Sequence, residues 1–251
     1  MIYFVGAGPG DVDLITVKGR RLLEEADLII YAGSLVSEAH LAFAKPSCKF
    51  YNSAKMNLDE VLEVMTGAEK EGLMTVRLHT GDPSIYGAIQ EQMDALEEGG
   101  LPFEVVPGVS SFTAAAAAIK HEFTLPEVSQ TLILTRRRGR TSVPEKENIP
   151  SLASHGASMA IFLSVGSIEE LVEELKEGYG RDDVPVAVVY RASWEDEKQI
   201  FGTLADIAGK VKDEKVVRQA QILVGDFLKA DYAKSKLYDK GFTTGYRQGQ
   251  K

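Results

Sequence analysis

One cysteine, Cys48, stands among 251 residues. A lone thiol excludes an internal disulfide and any metal site built from several cysteines, and it accords with a reducing compartment. Cys48 itself reads as a small core residue. No purely apolar run approaches the roughly 18 to 20 residues that a bilayer-spanning helix needs, and no basic leader precedes the first apolar stretch. The chain is therefore expected to be cytoplasmic, without a membrane span. Positive charge is also short: 28 Lys and Arg against 37 Asp and Glu leave a net charge of −9, which argues against a general nucleic-acid binder. The four histidines, His40, His79, His121 and His155, lie too far apart for a helix-borne zinc motif, and no metal is expected. The Gly-x-Ser-x-Gly elbow of one hydrolase class is missing as well.

What is present is an ordinary folded composition, with 44% apolar and 26% charged residues. Short apolar runs bounded by turn residues alternate with segments of helical period, which predicts an α/β architecture. Residues 2–5, 28–31, 76–79 and 103–106 read as strands, and 16–26, 58–71, 88–98 and the alanine-rich 112–119 as helices. A second set of strands is predicted at 131–134, 159–163, 186–190, 222–224 and 198–202, with a helix at 204–211. The acidic stretch 168–175 reads as a solvated helix face. A composition change near residues 120–127 places a domain boundary so that residues 1–121 form one α/β domain and 122–251 another. The polar tail 238–251, with three glycines, is expected to be mobile toward its end.

The first strand runs into Gly6-Ala7-Gly8-Pro9-Gly10-Asp11. A dinucleotide turn requires glycine where this chain has Asp11, and Pro9 removes an amide donor. A carboxylate beside a phosphate costs Coulomb energy, so a ligand without phosphates fits better. The Gly-Lys-Ser/Thr phosphate cradle is absent too. The bland reading of Gly6, Gly8 and Gly10 is a strand-to-helix turn, with Asp11 as a cap.

Val5-Gly6-Ala7-Gly8-Pro9-Gly10-Asp11, followed by Leu14-Ile15-Thr16-Val17-Lys18-Gly19, resembles the opening of the tetrapyrrole methylases. Thr80-Gly81-Asp82-Pro83-Ser84-Ile85-Tyr86-Gly87 and Val105-Val106-Pro107-Gly108-Val109-Ser110-Ser111 resemble that family's second and third loops. The resemblance covers nearly the whole chain. It implies two α/β domains of the tetrapyrrole methylase type with the active site in the cleft between them, the cofactor S-adenosyl-L-methionine with S-adenosyl-L-homocysteine as product, a tetrapyrrole substrate, and a homodimer. Gly33-Ser34-Leu35-Val36 and the run from Gln130 to Thr141 are most similar to the branch that methylates C11 of precorrin-4 or cobalt-precorrin-4.

Carried over residue by residue, the resemblance puts Pro9, Thr80, Gly81, Asp82, Ile85, Ser110, Ser111, Leu163, Ala192 and Ala220 against the cofactor. It puts Gly8, Gly10, Arg136 and Arg140 beside the substrate. Family members often carry methionine where this chain has Leu163, a similar apolar volume. The bland alternatives are a turn at Thr80–Pro83 and helix caps at Ser110 and Ser111. Arg136, Arg137, Arg138 and Arg140 follow a strand, and guanidinium forks match carboxylates, which a precorrin carries in number. Asp11, Asp82 and Tyr86 are candidates to accept or relay a proton after methylation. His79 and Trp194 read first as structural, with a proton shuttle and a lid as their sharper alternatives. The rival functions are methylation of another precorrin carbon, methylation of a protein histidine, and a non-catalytic nucleotide-binding module.

Overall fold

The computed structural model describes residues 1–33, 35–229 and 231–250, so Ser34 of the 33–36 motif and Lys251 of the tail lie outside the described residues. It contains two compact units, Met1–Ala118 with Arg191–Lys198, and Ile119–Tyr190 with Gln199–Lys251.

The first unit runs β1 (Ile2–Gly6), α1 (Val17–Glu25), β2 (Leu28–Tyr31), β3 (Lys49–Asn52), α2 (Leu58–Lys70), β4 (Thr75–His79), α3 (Gln90–Glu98), β5 (Phe103–Val106) and α4 (Ser111–Ala118). Its strands order as β3-β2-β4-β1-β5, and every pair is parallel. A parallel sheet is covered on both faces, which is why β1 and β2 are apolar at successive positions rather than alternating. Ile2, Phe4 and Ile30 pack with Val61, Met65 and Leu96. Val5, Ile29 and Leu78 pack with Leu22 and Leu23. Full burial of a side chain such as Phe4 or Leu23 is worth about 1.5 to 3 kcal/mol. Thr16 caps α1 by accepting from the Gly19 amide at 3.0 Å, and Asn57 with Glu60 forms a reciprocal capping box on α2. The helix read from residue 88 starts at Gln90, because Ala88 has a φ of +49°. β3, the outer strand Lys49-Phe50-Tyr51-Asn52, lacks an apolar run and escaped the sequence reading.

The second unit runs β6 (Leu132–Arg136), α5 (Ile149–Ala153), β7 (Ser158–Phe162), α6 (Ile168–Tyr179), β8 (Pro185–Tyr190), β9 (Lys198–Thr203), α7 (Ile207–Asp213) and β10 (Ala220–Val224). The order is β6-β7-β10-β8-β9. β6 and β7 are parallel, whereas β10 runs antiparallel to both β7 and β8. The acidic stretch is indeed the outer face of α6, whose Ile168, Leu171, Val172 and Leu175 are buried. The predicted strand 131–134 ends later, so that Arg136 closes β6. The predicted helix 204–211 begins later, at Ile207, behind a turn in which Asp206 accepts from the Thr203 amide at 2.8 Å. In the tail, Arg247 donates to the carbonyls of Leu237 at 3.0 Å and Asp239 at 2.6 Å. Both units are α/β, as the alternation of periods predicts.

Candidate functional site

Because β4, β1 and β5 are adjacent and parallel, the three loops that follow them emerge at one edge of the first sheet. The loops are bonded to one another. Gly81 donates its amide to the Gly8 carbonyl at 2.8 Å, and Gly8 donates back at 3.3 Å. Both residues hold left-handed φ values, +81° for Gly8 and +61° for Gly81, which favour glycine. The third loop comes closer still: a Cβ on Gly108 would lie 2.1 Å from the Gly81 carbonyl oxygen and 2.8 Å from Gly6 Cα. Three strand-end motifs thus meet backbone to backbone.

Asp82 ties the cluster together. Its Oδ2 accepts from the Gly108 amide at 2.9 Å. Its Oδ1 accepts from the Ser84 amide at 2.8 Å and from the Ser84 hydroxyl. Burial pushes its pKa up, but the Ser84 hydroxyl, the Gly108 amide and the Ser84 amide together outweigh it and hold the carboxyl below its ordinary 3.8. Asp82 is therefore ionised near neutral pH, and both of its oxygens accept hydrogen bonds.

Pro9 and Gly10 are buried. Asp11 is exposed and caps the short turn Val12–Leu14, its Oδ1 accepting from the Asp13 amide at 2.9 Å, so the capping reading of this residue holds. Tyr86 stands 46% exposed with a φ of +56°. The Ile85 amide closes the turn onto the Asp82 carbonyl at 3.2 Å. Ser110 is buried, its carbonyl accepting from the Ala114 amide at 3.2 Å and the Thr113 hydroxyl at 2.7 Å, while Ser111 opens α4. Ala192 is buried within the 191–198 segment of this unit.

Behind the loop, burial and the neighbouring Arg77 push the His79 imidazole down to about 3, so it is neutral near pH 7. Arg77, itself lowered to about 10 by burial, donates to Gln92 Oε1 at 3.2 Å and to the Ile30 carbonyl at 3.3 Å. Gln92 in turn donates to the Ala88 carbonyl at 2.8 Å. Sequence reasoning missed Gln92, since a glutamine inside a helical period carries no signal of such a bridge.

In the second unit, the register pairs Arg136 with Phe162 and Ala220 with Tyr190. Arg136, Leu163 and Ala220 consequently share one end of that sheet. Leu163 is 74% exposed with a φ of +53°, an unusual cost for an apolar side chain. The Arg136 guanidinium donates to the carbonyls of Thr141 at 3.4 Å and Ser142 at 2.8 Å, bracing its own loop. Arg137 pairs with Glu174 at 2.9 Å. Arg138 and Arg140 face solvent. Among the described residues no group of three or more His, Cys, Asp or Glu is arranged to hold a metal ion.

Residues 1–208 match the family described as Tetrapyrrole (Corrin/Porphyrin) Methylases, and the chain belongs to that family. It is 57% identical over 251 residues to a cobalt-precorrin-4 C(11)-methyltransferase of Methanocaldococcus jannaschii, covering 100% of this chain and 97% of that protein. It is 49% identical to a precorrin-4 C(11)-methyltransferase of Pseudomonas aeruginosa, covering 99% of each. The solved structure of a cobalamin biosynthetic enzyme, cobalt precorrin-4 methyltransferase, superposes with a TM-score of 0.89 at 46% identity, over 91% of this chain and 96% of that one. A uroporphyrin-III C-methyl transferase from Thermus thermophilus, complexed with S-adenyl homocysteine, gives 0.74 at 27% identity, over 91% and 93% of the two chains.

Proposed function

We propose that this protein transfers a methyl group from S-adenosyl-L-methionine to C11 of precorrin-4 or cobalt-precorrin-4 during cobalamin biosynthesis. The observation that carries this reading is identity of 57% and 49%, over essentially the whole chain, to two enzymes named for that reaction.

The first unit's loops fit a cofactor that has no phosphates and carries a sulfonium. No lysine or arginine occurs in residues 6–16, 80–88 or 107–112, and the acidic groups there include an Asp82 held ionised. When bound, S-adenosylmethionine supplies an electrophilic methyl group. The chain's share is to hold the reactants in line, which in the best cases is worth on the order of 7 to 11 kcal/mol. Gly6, Gly81 and Gly108 lock three loops at contact distance, and Asp82 fixes the amide of the third. Pro9, Thr80, Gly81, Asp82, Ile85, Ser110, Ser111 and Ala192 make up the proposed cofactor contacts of the first unit, with Leu163 and Ala220 those of the second. For substrate we assign Gly8, Gly10, Arg136 and Arg140.

Transfer of the methyl cation leaves C11 quaternary and the ring system positively charged, so a proton must leave from a ring nitrogen or an adjacent bridge carbon. Asp82 already accepts three hydrogen bonds, which disfavours its protonation. We therefore assign acceptance to Asp11, which is exposed, with Tyr86 as a relay. The homodimer belongs to the same reading through the family resemblance. Cytoplasmic placement rests on the single cysteine, and among the described residues no helix is long and apolar enough to cross a membrane.

The test is anaerobic incubation with methyl-labelled S-adenosylmethionine and enzymatically generated precorrin-4, with and without cobalt, followed by mass and carbon NMR analysis. A labelled methyl at C11 is the expected product, and the faster reaction identifies the substrate's metal state. Label at another carbon would move the chain to a different branch of the family.

A further inference from the structure

The segment 191–198 holds the Pro9 turn by two independent hydrogen bonds. Trp194 donates its indole N–H to the Pro9 carbonyl at 2.8 Å, and the Asp11 amide donates to the Ser193 hydroxyl at 3.0 Å. Gly10, between them, has the indole where a side chain would be: a Cβ there would lie 2.2 Å from Trp194 Cδ1 and Nε1. Gly10 is thus small because of Trp194, with no positive φ of its own to require glycine.

The segment is itself stiffened. The Arg191 guanidinium lies over the indole, 4.0 Å from the ring centroid, and pairs with Asp196 at 2.6 Å. The Ser193 amide donates to Glu197 Oε2 at 2.8 Å. Arg191 and Ser193 hold φ values of +46° and +69°, conformations that non-glycine residues adopt at a cost and that cluster where function demands a fixed backbone. An ordinary loop would relax out of both.

From this geometry we infer that Trp194 is a positioning residue for the Gly8-Pro9-Gly10 turn, setting the direction of the Pro9 carbonyl and the place of the proline ring, with Ser193 as the second anchor. The inference rests on the reading of Pro9 as a cofactor contact. Trp194 acts through the turn and is assigned no contact with either reactant.

The experiment compares wild type with Trp194→Phe, which keeps an aromatic ring and deletes the N–H, and with Ser193→Ala. S-adenosylhomocysteine affinity is measured by calorimetry, Tm by calorimetric scanning, and KM for each reactant in the methyl-transfer assay. We expect Trp194→Phe to weaken S-adenosylhomocysteine by roughly fivefold to tenfold, the order of one lost hydrogen bond, and to raise KM for the cofactor more than KM for the tetrapyrrole, whose proposed contacts Gly8 and Gly10 flank Pro9 in the same turn. Ser193→Ala should change the same quantities in the same direction and carries the test if Trp194→Phe folds poorly. Gly10→Ala should weaken the cofactor in the wild-type background and weaken it no further when added to Trp194→Ala. Since Trp194 is the chain's one tryptophan, its emission should shift as S-adenosylhomocysteine saturates wild type.

Unchanged cofactor affinity in both single variants, alongside normal wild-type binding, would overturn the inference and leave the proposed function intact. Equal losses of affinity for cofactor and tetrapyrrole that track a fall in Tm would overturn it in favour of a purely structural role. Failure of wild type to bind S-adenosylhomocysteine would overturn both readings.

Discussion

The Gly108 amide donates to Asp82 Oδ2 at 2.9 Å, so a carboxylate in the loop after β4 fixes the backbone of the loop after β5. Removing it should loosen both. Asp82→Ala is expected to cost about 2 kcal/mol of stability, the scale of hydrogen bonds to a charged group, together with most of the cofactor affinity. The folded carboxyl sits below its ordinary 3.8, so its contribution is present above that value and lost as pH falls through the lower, folded one. Urea unfolding of wild type and variant at pH 7 and pH 3 checks this: the gap between them should narrow at pH 3.

Gly108 has no room for a methyl group, while Gly139 has nothing within 4 Å of where a Cβ would be. Gly108→Ala should therefore destabilise by about 3 kcal/mol, at the upper end of ordinary overpacking, and abolish turnover. Gly139→Ala should be silent in stability. Thermal melts of the two alanine variants separate a packed turn from an open one.

His79 gives the protein an acid-sensitive point. Its folded value of about 3 lies below the ordinary 6.5, so the unfolded chain binds the proton first. The stability linked to neutral His79 is complete above pH 6.5 and is lost as pH falls toward 3. Between pH 7 and 4.5 this amounts to as much as about 2.5 kcal/mol at 1.36 kcal/mol per unit. His79→Leu should flatten that part of the stability profile measured in urea. An unchanged slope would exclude His79 as its source.

Arg140 is exposed, whereas Arg136 is committed to the carbonyls of its own loop. Arg140→Ala should raise KM for the tetrapyrrole by about fivefold, the order of one exposed charge-assisted contact, without changing S-adenosylhomocysteine affinity. Arg136→Ala should in addition loosen residues 136–142, seen as faster amide exchange there. Steady-state kinetics with calorimetry distinguishes the two.

Much of the fold was legible because its signals are local. β1 and β2 are apolar runs, β4 and β5 are short segments of strand-favouring residues, each of the four leads into a loop that contains glycine, and α1 and α2 carry both period and cap. β3 was invisible because Lys49-Phe50-Tyr51-Asn52 is an outer strand whose pairing with β2, not its composition, makes it a strand. In the site, the three glycine loops were readable from Gly6, Gly81 and Gly108. Their mutual contact was not, since a 2.1 Å conflict between Gly108 and the Gly81 carbonyl exists only once β4, β1 and β5 lie in that order. The Gln92 bridge and the Ser193 anchor were equally hidden, because glutamine and serine look alike whether they face solvent or fix a backbone.

The first unit is discontinuous in sequence, since Arg191–Lys198 belongs with Met1–Ala118. During synthesis the strands of its sheet are all available once β5 has left the ribosome, yet the residues that grip Pro9 and Asp11 have not been made. The turn at Pro9 therefore waits for its clasp until the whole stretch from β6 to β8 has emerged. A chain that stops before Arg191 would lack the Ser193 and Trp194 bonds to Asp11 and Pro9, which makes closure of this turn one of the last steps in completing the first unit.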